Sequence, residues 1–317
     1  MIIIGAGMAG LLAGGMIRSQ KVTIYELSKK LPNNHSAVLR FRSTIVGDTL
    51  GIEFQAVKMI KCVEPWINPV ADSLAYSLKC NGKATLRSIL SANAEMQLRY
   101  IAPPNLIQLM ADRINGGFEF GREIDLDLIK NCGTPIISTM PMHSLMKLLN
   151  YTNIPEFNFV HGFNISAGSE ALDAYATVYV PDPKYKFNRV SAVGDRLTIE
   201  YSKPNVPIER ILELVGDLKI NWEHLDEEIQ IAADLLGLKG TAFRDVEIEA
   251  QRYSKILPID EGERKRFLLW ATENYNIFSL GRFATWRPGL LLDDLVNDVR
   301  VIQKIIKHGT YDSRKKG

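Results

Sequence analysis

Cysteine is scarce in this chain and badly placed for structural use. Cys62, Cys80 and Cys132 are odd in number and far apart, so no disulfide framework is expected. None stands in a CxxC or Cys/His ligand pattern. The five histidines, at 35, 143, 161, 224 and 308, are equally scattered, so no metal site is expected. An excess of one charge is also missing. Thirty-eight Lys and Arg against 36 Asp and Glu leave +2, which favours no polyanionic partner. There are no repeats and no low-complexity tracts. The remainder is ordinary for a soluble globular chain: 317 residues, 46% hydrophobic and 23% charged, enough for one large domain or two moderate ones. A reducing compartment, the cytoplasm, is the expected location. One long uncharged run does occur, residues 1–17 (MIIIGAGMAGLLAGGMI). No basic segment precedes it, and its five glycines are patterned. It therefore reads as strand, turn and helix, not as a signal peptide or a membrane span.

That run carries the clearest chemistry. Ile2-Ile3-Ile4 suits a buried parallel strand. Gly5-Ala6-Gly7-Met8-Ala9-Gly10 matches GxGxxG and leads into a helix. KVTIYE (21–26) then supplies a second strand ending in Glu26, 21 residues after Gly5. Gly5 permits the tight turn, Gly7 lets the backbone approach a pyrophosphate, and Gly10 lets helix and strand pack closely. The free N–H groups of the helix start attract phosphate. Glu26 can accept from ribose hydroxyls, and its charge disfavours a 2′-phosphate. A dinucleotide site follows, although the motif alone does not choose between FAD and NAD.

Further along, residues 31–43 (LPNNHSAVLRFRS) form a polar loop ending in Arg40 and Arg42. These either face solvent or pair with cofactor phosphates. Residues 46–97 show no clean period and read as an insertion. Asn105 precedes a helical run, Phe118-Glu119-Phe120 begins a strand, and residues 135–139 form a buried strand with Pro141 opening the next helix. Residues 151–201 hold nine of the 27 aromatic residues, a compositional shift expected at a domain boundary. Alternation over 174–180 and a hairpin across Gly194-Asp195 predict an antiparallel sheet. An acidic helix is expected from about 222 to 238, a buried strand at 267–270, and a closing amphipathic helix after residue 290.

Four blocks in this order resemble the amine oxidase and UDP-galactopyranose mutase families, which share the glutathione-reductase-type FAD fold. They are GAGMAG with Glu26, APPNLIQLMADRINGGFEFGREI (102–124), TPIISTMPMHSL (134–145) and IFSLGRFATW (277–286) with its helix. The resemblance implies an α/β fold: a Rossmann-like FAD-binding lobe over 1–45, 98–150 and 250–317, with a smaller α+β substrate lobe built on an antiparallel sheet from 46–97 and 151–249. FAD is then the expected cofactor. Beside Gly5, Ala6, Gly7, Met8, Ala9, Gly10 and Glu26, it would be held by Ser36, Arg40, Arg42 and Ile124. Thr139, Met140, Gly281, Arg282, Leu291 and Leu292 complete the expected cofactor set. Two departures stand out. The usual Gly-Gly after the second strand is replaced by NNHSAVLRFRS, and Pro288-Gly289 replaces the aromatics that follow Gly-Arg in the mutases.

LPNNHSAVLRFRS, AYSLKCNG (75–82) and GRFATWRPGLLLDD (281–294) are further similar to small phage-encoded flavoproteins of thymine hypermodification pathways. That resemblance implies an FAD-dependent lyase acting on an amino acid attached through nitrogen to a thymine methyl group. It would act in the host cytoplasm, with DNA carrying the modified base as partner. The alternatives are non-oxidative chemistry on a nucleotide sugar and oxidation of a small free amine. No membrane partner is expected, and composition leaves the oligomeric state open. The side chains weighed for catalysis are Tyr253, Lys255, His35 and Trp286. Three have an ordinary alternative: a surface lysine for Lys255, a loop histidine for His35, packing behind the helix for Trp286. Tyr185, Phe187 and Arg189 are weighed for substrate binding against a conventional β core.

Overall fold

The computed structural model describes residues 1–31, 40–64, 68–86, 90 and 95–308. The chain opens with β1 (Ile2–Ile4), α1 (Met8–Met16) and β2 (Val22–Glu26). A first excursion holds β3 (Arg40–Phe41), α2 (Ile45–Leu50), β4 (Gln55–Val63), α3 (Pro69–Asn81) and β5 (Glu95–Ile101). The chain returns through α4 (Leu106–Ala111), β6 (Gly116–Phe120), α5 (Leu126–Asn131), β7 (Ile136–Ser138) and α6 (Met142–Leu148). A second excursion comprises β8 (Phe159–Gly168), β9 (Ala174–Tyr179), β10 (Arg189–Gly194), β11 (Arg196–Lys203), α7 (Ile208–Ile220), α8 (Trp222–Asp234) and β12 (Arg244–Ile256). Then α9 (Glu261–Tyr275), β13 (Ile277–Ser279) and α10 (Leu292–Lys307) close the described fold. No helix among the described residues is long and apolar enough to cross a membrane.

Two sheets organise these elements. The first is parallel, in the order β13-β7-β1-β2-β6, with Ile2, Ile3 and Ile4 paired to β2 on one side and β7 on the other. A strand flanked on both edges and covered on both faces must be apolar throughout, which the isoleucine run provides. Leu11, Leu12 and Ala13 of α1 pack with Val296, Val299 and Ile302 of α10 on this sheet. This is the expected Rossmann-like arrangement.

The second sheet has eight strands in the order β12-β8-β11-β10-β9-β4-β5-β3. Its pairs are antiparallel except for β4 and β9, which run parallel and join the two excursions into one sheet. Cross-strand rows alternate in character. Val178, Val190, Ile199, Ile165 and Ile248 stand in register, and their apolar face is covered by Ile211 and Val215 of α7 and Leu225 and Ile229 of α8. The neighbouring rows are polar: Tyr179, Arg189, Glu200 and Asn164, then Thr177, Ser191, Thr198 and Ser166. Because side chains alternate along a strand, these rows project from the other face.

The structure corrects several expectations. The apolar run at 267–270 lies in α9 and is no strand. Asp260 caps that helix by accepting from the Glu263 amide at 2.8 Å, Arg264 pairs with Glu261 at i,i+3, and Phe267 and Ala271 form its buried side. A four-residue apolar run fits either element, and here the cap and ion pair decide. Helix α7 was not expected. The lobe boundaries also differ from the sheets: β3 lies before position 45 yet belongs to the eight-stranded sheet, and β5 and β12 straddle 98 and 250.

Candidate functional site

The glycine turn is shaped by close approach. The Gly5 amide donates to the Tyr25 carbonyl at 2.8 Å, and Gly5 adopts φ +96°, where a Cβ would also lie 2.3 Å from Thr139 Oγ1. A Cβ on Gly10 would fall 1.9 Å from the Gly5 carbonyl oxygen. Gly7 differs. It begins α1 without any side-chain cap, and its Cβ would meet nothing within 4 Å. The open side of the turn thus faces the uncapped amides of Met8 and Ala9, where an anion is favoured.

The other expected cofactor residues gather at the same strand ends. Glu26 Oε2 accepts from the Ala6 amide at 2.7 Å and Oε1 from the Ser28 amide at 2.8 Å, tying the end of β2 to the turn. Both the amide and the hydroxyl of Thr139 donate to the Ile4 carbonyl, at 2.9 and 2.8 Å. Met140 follows, just before the Pro141 cap of α6. Gly281, at φ +102°, brings the end of β13 to α1, where its Cβ would sit 3.0 Å from that of Ala9. Ile124 is buried with Ile4 and Ile136, and the Arg122 amide donates to the Glu26 carbonyl at 3.0 Å. Leu291 and Leu292 start α10. There Asp294 accepts from the Leu291 amide at 2.9 Å, and Asp293 accepts from the amide and hydroxyl of Ser43. The carboxyl ends of a parallel sheet at a reversal of strand order form the crevice where open α/β folds bind ligands.

The polar face of the second sheet contributes a charged cluster. Arg189 forms a fork-like ion pair with Glu200, its Nη2 donating to Oε1 at 2.5 Å. The guanidinium lies 5.8 Å from the Tyr179 ring centroid, and Tyr76 of α3 meets Tyr179 edge-on at 5.4 Å. Arg40 donates to Thr177 and, at 2.9 Å, to Met59 Sδ. Burial and the neighbouring Arg189 lower Arg40 to about 10. The same two causes push down Lys255 and Arg282. Burial opposes ionisation of Tyr179, but Arg189, Lys61 and Arg40 together pull its phenol below the ordinary value. Burial likewise acts to raise Glu200, and Arg189 overcomes it, holding the carboxyl below 4.5. Arg282 Nε is buried with no hydrogen-bond partner.

The weighed side chains therefore divide. Arg189, Lys255 and Arg282 come together, and Arg40 joins them: its guanidinium is directed to the second sheet, so the expectation of a phosphate contact at the glycine turn is corrected. Arg42 is exposed. Phe187 and Trp286 are 1% exposed, which corrects both as substrate-facing residues. Phe187 packs on Tyr201 beneath α7 and α8, with Tyr185 at its edge. Trp286 has φ +46°, and this left-handed turn directs the indole N–H inward to the Leu257 carbonyl at 2.8 Å. His35 and Ser36 lie outside the described residues.

Tyr253 meets a residue that spacing did not single out. Its hydroxyl lies 3.2 Å from His143 Nε2. His143 is surrounded by Phe157, Phe159, Tyr253 and Trp286, and its Nδ1 is buried without a partner. Burial, with Lys147 and Arg252 nearby, holds it below the ordinary 6.5. Its position two residues after Pro141, at the start of α6, was the available signal. Glu200 was signalled by the hairpin register, which sets it opposite Arg189, whereas Tyr179 reaches Arg189 from β9, outside that hairpin. A cavity of about 200 Å³ bordered by Tyr201, Lys203 and Glu228 lies on the helical side of the sheet, opposite the Arg189 row. There Glu228 accepts from Tyr201 at 2.8 Å and from Lys186 at 2.9 Å, so its carboxylate is already engaged.

No protein-family profile matches the chain, and no curated protein sequence matches it. Solved structures do. Reduced UDP-galactopyranose mutase aligns with TM-score 0.65 at 14% identity, over 98% of this chain and 94% of its own. An oxidoreductase from Methanosarcina mazei aligns with TM-score 0.59 at 12% identity, over 96% and 99%. Aklavinone-11 hydroxylase, solved with FAD and aklavinone, aligns with TM-score 0.55 at 12% identity, over 96% of this chain and 61% of its own. At these identities the likeness is one of fold. It spans both sheets, the Rossmann-type parallel sheet and the larger, mostly antiparallel one.

Proposed function

We propose that the protein is an FAD-dependent oxidoreductase that oxidises an amine C–N bond. The observation carrying the cofactor is the glycine turn: filled by backbone or side chain at Gly5 and Gly10, and open at Gly7 against an uncapped helix start. Gly5 to Gly10 would hold the pyrophosphate, Glu26 the ribose, and Thr139, Met140, Gly281, Leu291 and Leu292 the remainder of the crevice. When bound, FAD supplies the two-electron acceptor that such an oxidation requires. The substrate loses two electrons and two protons across its C–N bond, and water then hydrolyses the imine to an oxo acid and an amine. Half-buried Tyr253 and Lys255 lie near the end of β12, and on this reading they orient the substrate and limit water.

For the substrate we infer an amino-acid-modified thymine of the glycyl-methyl type in phage DNA, supported by the resemblance of three segments to phage flavoproteins. A modified base in duplex DNA would have to be flipped out to reach such a crevice. The test begins with the purified protein, which should be yellow or take up FAD. Anaerobic mixing with an N-alkylated glycine on a thymidine oligonucleotide should bleach the flavin and release glyoxylate. A protein that cannot be loaded with FAD defeats the reading. Conversion of a UDP-sugar under dithionite, without bleaching by any amine, replaces it with mutase-type chemistry.

A further inference from the structure

We infer that Arg40, Arg189, Lys255 and Arg282 form a binding site for a dianionic part of the substrate, a pair of carboxylates or a phosphate. The site deepens the functional reading above, on which its place beside a flavin rests. Four separate segments deliver the cations. Arg40 comes from β3, Arg189 from β10, Lys255 from the end of β12, and Arg282 from the turn after β13. Among the described residues, the carboxylate that balances them within the cluster is Glu200, already committed to Arg189. Three positive charges are left over. Among the described residues no carboxylate forms a salt bridge with Arg40, Lys255 or Arg282.

Such an arrangement is costly unless something completes it. Like charges brought together out of water disfavour one another, and each buried cation without a partner loses hydration. Burial and Arg189 act together to lower the pKa of all three neighbours. A structural role alone would call for acids in the facing rows. Instead the row next to Arg189 holds Thr177, Ser191, Thr198 and Ser166, neutral hydroxyls that donate or accept without cancelling charge. Arg282 also keeps a buried donor, Nε, with no hydrogen-bond partner among the described residues. Planar guanidinium forks and an ammonium match the oxygens of carboxylate or phosphate.

The test uses FAD-loaded protein titrated at constant ionic strength with malonate, inorganic phosphate, acetate and chloride. The flavin spectrum and thermal unfolding are followed together. Malonate or phosphate should bind saturably, and acetate at least about tenfold more weakly. Tighter malonate identifies a carboxylate substrate end; tighter phosphate identifies a nucleotide phosphate. Lys255→Met removes an unpaired charge, so it should fold and lose dianion affinity by about tenfold or more. Arg189→Met serves as a second variant, read only if its circular dichroism matches the parent. Absence of saturable binding, or equal binding by the Lys255→Met protein, overturns the site while leaving the flavin reading intact. Dianion binding confined to flavin-free protein and abolished by FAD also overturns it, because the cations would then serve the cofactor's phosphates. Lys255-dependent binding by a protein that never takes FAD supports the site and defeats the flavin reading.

Discussion

The glycine turn and the cationic cluster solve the problem of holding an anion in opposite ways. The turn uses six consecutive residues and no charged side chain, and its attraction comes from backbone amides at a helix start. The cluster uses four side chains from four separate segments between residues 40 and 282, three from the second sheet and Arg282 from the turn after β13. One is rigid and nearly neutral; the other is charged and depends on the whole fold. The comparison teaches that a backbone site can be judged by where a Cβ would collide. A side-chain site must be judged by which charges remain unbalanced.

Substitutions can break this comparison. The largest loss is expected for Glu200→Ala, which strands Arg189 among three other cations. A broken, largely buried ion pair costs about 3–5 kcal/mol, read from urea unfolding. If stability were unchanged, the polar face would be a solvated surface and the contrast would fail. Gly10→Ala comes next, at about 1–3 kcal/mol or more, because the added methyl meets the Gly5 carbonyl. Gly7→Ala should change stability by only about 0.5 kcal/mol, yet weaken FAD binding by about tenfold or more in fluorescence titration. Equal stability losses at Gly7 and Gly10 would refute the distinction between the open and closed sides of the turn. The smallest effect is a pH dependence. Glu200 titrates below 4.5 in the folded protein, so its pair with Arg189 contributes stability that is complete above that pH. That contribution is lost as pH falls through the folded value, and Glu200→Gln should flatten this part of the profile.

Legibility in the sequence follows the same division. Gly5 to Gly10 and Glu26 were readable because each constraint acts within a few residues of chain. Thr139 and Gly281 were readable only through their place in a longer ordered pattern. The Arg40 placement was not, since a loop arginine has no periodicity and its partner Thr177 lies 137 residues away. Trp286 and Phe187 misled for a related reason. An aromatic near a polar turn has the same local signature whether it faces a ligand or the core, and the left-handed backbone at Trp286 is a tertiary fact. His143 was overlooked because a lone histidine without metal spacing says little until its cage is assembled.

The position of β13 has a consequence for how the protein is made. It pairs with β7, and the segment following it supplies both Gly281 against α1 and the helix whose apolar side covers Leu11 and Leu12. On the ribosome, β1, α1 and β2 emerge first but wait for residues beyond 277 before their crevice is walled. Until then the apolar N-terminal run has no permanent cover. Nascent chains are therefore expected to need shielding until the residues beyond 277 have emerged and packed.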